Sequence, residues 1–307
     1  MIMKLQHLSK SLCLCAGVAM LAIPVAANAQ LPSLFPQPTA GPQSISVNFA
    51  TPISLSATEQ PGSWYTDRFT PCLFSAPATA PDGTKNTLEE SICASNFQTP
   101  APIFYNTQGR KLDLVANTTS VSIDLYVPSS WATTQQRAAG FWLTVPNSTP
   151  NADYPIIEFQ GPITASSPQG PGFYPNGGVA GFYGWDNTTG TFTSIGLPPG
   201  FQYNSWVTMT IAYTPGTGYE YTVRDARSRR GVSIQSPLGD PSDTTISNVI
   251  LQGYNYGNSY NIFWNNLSFV SSSFQCSPKS TQQQQGGLFG LLGLLVQQQQ
   301  KLINHPW

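Results

Sequence analysis

The stretch from Trp206 to Asp225 constrains the fold more than any other part of the chain. It runs Trp-Val-Thr-Met-Thr-Ile-Ala-Tyr, then Thr-Pro-Gly-Thr-Gly, then Tyr-Glu-Tyr-Thr-Val-Arg-Asp. Two alternating runs around a short Pro/Gly turn are the pattern of a β-hairpin. Val207, Met209, Ile211 and Tyr213 share one side of the first run, and Trp206, Thr208, Thr210 and Ala212 share the other. On the second run Tyr219, Tyr221 and Val223 lie opposite Glu220, Thr222 and Arg224. One side suits a core and the other is free to be polar, as in an antiparallel sheet.

The same alternation recurs along the chain, punctuated by Pro, Gly and Asn. Runs at 44–49, 53–56, 64–74, 111–116, 121–127, 139–145, 154–160, 178–185, 191–195, 231–235, 246–253 and 261–270 read as strands, with a helical turn expected at 88–93. No long 3.6-period segment competes with them. Many short strands at such spacing predict an all-β sandwich or barrel over residues 45–275. Residues 30–44 are rich in Pro and Gln and read as a linker. Residues 276–307 form a low-complexity tail in which glutamine runs bracket an apolar block at 286–296. That block is too short to cross a bilayer as a helix and is expected to mediate self-association or contact with a membrane or partner.

Residues 1–29 have the form of a secretory signal peptide, bacterial in style. Lys4, His7 and Lys10 precede an apolar run, and Ala27-Asn28-Ala29 is a small-residue cleavage site. The expected location is therefore outside the inner membrane, secreted or at the cell surface. Export permits disulfides. Cys72 and Cys93 close a short loop and are expected to pair, leaving Cys276 over; three reduced thiols are the alternative. After cleavage His305 is the one histidine left. That argues against Ser-His-Asp or Cys-His catalysis, histidine-ligated zinc and a histidine general base. Charged residues make up 9% of the chain, against about 25% in a typical domain. With a net charge of −1, nothing points to nucleic acid. Arg224, Arg227, Arg229 and Arg230 form the basic cluster. It reads as a solvated turn after the hairpin, with an anion or glycan-sulfate contact as the alternative.

Several segments carry a resemblance to a known superfamily: Ser120–Pro128, Gly140–Val145, Tyr154–Gln160, Gly181–Asp186, the hairpin itself, and the closing Asn261–Phe269. In their order and pattern they resemble the concanavalin A-like, laminin-G-like jelly roll shared by legume lectins and several glucanases and lyases. The resemblance implies a two-sheet antiparallel jelly-roll sandwich. The catalytic strings of its enzymes are missing, with no Glu-x-Asp-x-x-Glu, no Arg-x-Glu-x-Arg and no Gln-x-His. The family's closing acidic residue is replaced in Asn265-Asn266, so structural calcium has no support and no cofactor is expected.

If the apolar partners face inward, the opposite parity turns Asp124, Tyr126, Trp142, Glu158, Gln160 and Trp206 outward. In the resembled fold these would share one curved sheet. Flat rings together with carboxylates and amides suit pyranose hydroxyls, so the six are the expected ligand-binding residues. Asp124 and Glu158 would lie roughly 10 Å apart if one strand separated them, at ~4.8 Å per strand. That is near the upper edge of the ~6.5–9.5 Å used by inverting glycosidases. The resulting expectation is a secreted, non-catalytic carbohydrate-binding or adhesion module with a polysaccharide or glycan surface as partner. The alternatives are a divergent polysaccharide hydrolase or lyase, and a structural surface or matrix protein.

Overall fold

The computed structural model of the protein describes residues 42–98, 106–134, 137–148, 152–163 and 179–272. The chain divides into two units, Met1–Thr39 and Ala40–Trp307, and all described residues belong to the second. The expected signal peptide, most of the linker, Cys276 and the apolar block at 286–296 lie outside the described residues.

The described strands, in chain order, are β1 (Gln43–Ser46), β2 (Leu55–Ser56), β3 (Trp64–Thr66), β4 (Leu73–Thr79), β5 (Lys85–Ile92), β6 (Thr107–Val127), β7 (Ala138–Thr144), β8 (Ile156–Gln160), β9 (Gly181–Asp186), β10 (Thr191–Ser194), β11 (Ser205–Thr214), β12 (Gly218–Asp225), β13 (Gly231–Pro237), β14 (Ile246–Tyr254) and β15 (Tyr260–Ser271). They form two packed layers joined through β6. The first half of β6 pairs with β14 and β3, and the layer continues β14-β7-β8-β9-β10. The second half pairs with β11 and β15, and that layer runs β13-β12-β11-β6-β15-β5-β4, with β1 also on β15. The two runs expected at 111–116 and 121–127 are thus one strand. It turns from layer to layer where Val115 and Ala116 are exposed and Asn117 takes a φ of 61°.

The hairpin forms as its alternation predicts. Met209 pairs with Val223, Ile211 with Tyr221 and Tyr213 with Tyr219, and the Thr217 amide donates to the Thr214 carbonyl at 3.0 Å. Val207, Met209, Ile211 and Val223 are fully buried, as are Leu143 and Phe159 from the other layer. They join Val121, Ile123 and Leu125 of β6 in one core between the layers. At about 25 cal/mol per Å² of apolar surface removed from water, this core is the main favourable term in folding. The layers approach closely where β9 crosses β12. A side chain at Gly184 would come within 2.5 Å of the Tyr221 ring, and the Tyr221 hydroxyl donates to the Trp185 carbonyl at 2.8 Å.

Two local expectations are corrected. The run 64–74 is broken between β3 and β4, where Pro71 has no amide to give a ladder. The segment expected as a helical turn at 88–93 is strand β5 as far as Ile92, paired on both edges, and Cys93 then leads into a 3-10 turn at Ala94–Asn96. Leu88, Glu90 and Ile92 alternate inward there. The expected disulfide is present. Cys72 and Cys93 have Cα atoms 5.9 Å apart and tie the entry of β4 to the exit of β5. In the loop-entropy account a crosslink over 21 residues contributes on the order of 3 kcal/mol.

Candidate functional site

The six outward residues do not share a layer of the sandwich, although hydrogen bonding runs without a break through β8-β7-β14-β6-β11. Asp124 and Tyr126 on β6 and Trp206 on β11 stand on the outer face of the second layer, where Trp206 is the cross-strand partner of Tyr126. Trp142 on β7 and Glu158 and Gln160 on β8 stand on the outer face of the first layer. The core lies between the two trios, so Asp124 and Glu158 cannot act on one substrate atom as a carboxylate pair. The inward parity of each strand is as the alternation predicts. The expected common concave face does not form, because β6 passes between layers and turns the two trios apart.

The trio on the first layer is not an open platform. Trp142 is 3% exposed, Glu158 5% and Gln160 0%. The Gln160 side chain is committed to structure. Its Nε2 donates to the carbonyls of Arg137 at 3.1 Å and Gly161 at 3.0 Å, and its Oε1 accepts from the Tyr256 hydroxyl at 2.9 Å. Trp142 packs with Ile156, Tyr183, Phe192 and Ile250 in a second apolar layer, with the Arg68 guanidinium 5.3 Å from its ring centroid. Glu158 is paired across the sheet with Tyr183. Burial, and then its negative charge, raise the pKa of the phenols of Tyr183 and Tyr256.

On the second layer Asp124 also has a structural task. One oxygen accepts from Thr208 Oγ1 at 2.6 Å and the other from Asn266 Nδ2 at 2.7 Å, so the carboxylate ties β11, β6 and β15 together. Asn266, which follows Asn265 at the position where the family's acidic residue was expected, is thus a hydrogen-bond donor to this carboxylate. Tyr126 and Trp206 make an edge-on aromatic pair, with centroids 5.5 Å apart. Trp206 Nε1 donates to Asp82 Oδ2 at 2.9 Å. Partial burial works against ionisation of Asp82, but hydrogen bonds from Thr84 and Trp206 outweigh it and hold the carboxyl below its ordinary range. Phe263 of β15 and Ala80 complete this apolar cluster.

Beside it opens a cavity of about 510 Å³. Tyr126, Phe263, Trp131 and Tyr260 supply its rings, and Ser130, Arg137 and Asn261 are among its polar groups. Trp131 sits in a 3-10 turn just after Pro128 and packs edge-on to Tyr260, with centroids 5.9 Å apart. Arg137 lies 5.0 Å over the Tyr260 ring, and burial lowers the proton affinity of its guanidinium. Of the six residues expected from sequence, the cavity recruits Tyr126 alone, while Trp206 packs on its rim. Trp131, Arg137, Tyr260 and Phe263 escaped the sequence reading. Three of them belong to turns or strand ends, where alternation carries no information about facing.

No family model and no curated protein sequence matches the chain. Among solved structures it is similar to lectin I from Ulex europaeus, at 11% identity over 75% of this chain and 98% of that one, with a TM-score of 0.43. It is also similar to alginate lyase Aly36B, at 12% identity over 75% and 97%, with a TM-score of 0.44. A third is an alginate lyase from Chlorella virus, at 11% identity over 74% and 100%, with a TM-score of 0.43. These structures have the concanavalin A-like jelly roll, the class that the sequence segments resemble.

Proposed function

We propose that this is a secreted carbohydrate-binding module and that its ligand enters the rim cavity between β6 and β15. The observation that carries the reading is the mixed lining of that cavity. Aromatic rings alternate with hydroxyl, amide and guanidinium groups in about 510 Å³, a volume within the ~300–1,000 Å³ typical of small-ligand sites. A sugar ring presents apolar C–H faces and a girdle of hydroxyls. Phe263 and, on the rim, the half-buried Trp206 suit the first, with the buried Tyr126 packed against both, and Ser130, Asn261 and Arg137 suit the second. Phe263→Ala is expected to weaken retention on a polysaccharide ligand about tenfold or more while leaving the cooperative unfolding transition in place. Affinity electrophoresis through a panel of soluble polysaccharides, with a melting curve for each variant, tests this. Unchanged mobility of a folded Phe263→Ala protein, in every polymer that retards the native chain, would remove the cavity from the ligand path.

A further inference from the structure

The arginine-bearing turn between β12 and β13 has no part in the core or in the cavity lining, yet it is costly in three ways. Four of the seven arginines of the chain fall in the seven residues 224–230, in a protein where charge is scarce. All four are exposed. Among the described residues the recorded ion pair is Arg68 with Asp67, so none of the four is neutralised by a carboxylate at contact distance. Asp225, the acidic residue within the cluster, feels the charge of Arg227 but is held mainly by the backbone of the turn. Its Oδ1 accepts from the Ser228 amide at 2.7 Å, and that bond heads the causes holding its carboxyl below the ordinary range. The turn is further closed by the Arg229 amide on the Asp225 carbonyl and the Asp225 amide on the Arg230 carbonyl, both at 2.9 Å. Finally, Arg229 has a φ of 60°, a left-handed conformation where glycine or asparagine is the ordinary choice and other residues lose roughly 1–2 kcal/mol. Strain and like-charge repulsion are retained together on a rigid turn, as at sites of recognition rather than at neutral connections.

The turn is also well placed. The Ala226 amide donates to the Trp206 carbonyl at 3.1 Å, and Arg224 projects from the outer face of β12 across from Thr208. Burial and then the Asp82 carboxylate raise the pKa of the Tyr126 phenol, whose ring lines the cavity, and the charge of Arg227 works against them, which places Arg227 near that ring. Guanidinium groups, the Trp206–Tyr126 pair and the cavity mouth therefore form one surface.

We propose that this surface binds an anionic polysaccharide, with Arg224, Arg227, Arg229 and Arg230 holding carboxylate or sulfate groups while Trp206 and the cavity take the sugar rings. The inference rests on the carbohydrate-binding reading above and names its ligand class. The planar fork of arginine matches a two-oxygen anion and accepts it bidentately. The cationic surface is confined to one turn in a chain of net charge −1, whereas a duplex nucleic acid asks for a longer basic stripe.

The test compares retention of the native protein on sulfated dextran, on polygalacturonate and on neutral dextran between about 50 and about 500 mM salt, where exposed charge interactions are progressively screened. The native protein is expected to be retained on both anionic polymers at low salt and released as salt rises. A variant with Arg227→Ser, Arg229→Asn and Arg230→Ser is expected to lose at least tenfold in affinity for them. Its melting temperature should not fall, because asparagine tolerates the left-handed backbone at 229. Phe263→Ala serves as the companion, reducing retention through the cavity without touching the arginines. Equal retention of the triple variant and the native chain on anionic polymers overturns the assignment. So does retention of the native chain on neutral dextran alone, and so does tighter binding to phosphatidylglycerol vesicles than to either polymer. Absence of retention on all three polymers overturns instead the carbohydrate-binding reading on which the inference rests.

Discussion

Replacing Glu90 with glutamine is expected to flatten the dependence of stability on pH between about 4.5 and about 8. Glu90 points into the core from β5 and has no exposed surface. Burial pushes its carboxyl up to about 8, against partial compensation from the indole of Trp264, whose Nε1 donates to Oε2 at 2.9 Å, and from the Gly253 backbone. The folded state therefore keeps the proton to a higher pH than the unfolded chain, whose carboxyl has an ordinary value of 4.5. The stabilising contribution is complete below about 4.5 and is lost as pH rises to about 8. The slope through this window is about 1.4 kcal/mol per pH unit, since the native state holds one proton more. Glutamine is neutral throughout and keeps an oxygen for the Trp264 N–H. Denaturant unfolding at pH 5, 7 and 9 is expected to give a native protein that loses several kcal/mol across the series and a variant that loses much less. At pH 9 the variant should be the more stable of the two. Parallel curves for the two proteins would show that Glu90 is not buried in this way.

Asp124→Ala is expected to destabilise the domain by about 2–4 kcal/mol, with any loss of ligand binding following from that. Both of its oxygens are engaged, by Thr208 at 2.6 Å and Asn266 at 2.7 Å. Hydrogen bonds to a charged group contribute about 1.5–3 kcal/mol each, and truncation also leaves the two donors unpaired. Asp124→Asn retains one acceptor and should recover part of the loss. Chemical unfolding of the three proteins, alongside polysaccharide retention at a temperature where all are folded, separates the roles. A fully stable Asp124→Ala chain that no longer binds polymer would restore Asp124 to the ligand site.

These two residues also show where sequence reasoning reached and where it stopped. The strands were legible because a pleated strand turns successive side chains to opposite faces, so a period of two can be read without knowing any partner. That is why the β11–β12 hairpin, its buried side and the outward parity of Asp124, Tyr126 and Trp206 could be written down from the chain alone. The Cys72–Cys93 pair was legible from the short loop that it closes. What alternation does not encode is which strands lie side by side. β6 crosses from one layer to the other at Asn117, and this places Asp124 and Glu158 on opposite outer faces of the sandwich. Glu90 breaks the apolar pattern of its strand, so nothing local announced that it faces Trp264, 174 residues away in the chain. The rim cavity is likewise assembled from residues around 81, 126–137 and 259–263. Local backbone sterics and side-chain periodicity therefore determined the strands and their sides. The joining of layers, the buried carboxyl and the cavity were decided by long-range pairing, whose free energy resides in contacts between segments far apart in sequence.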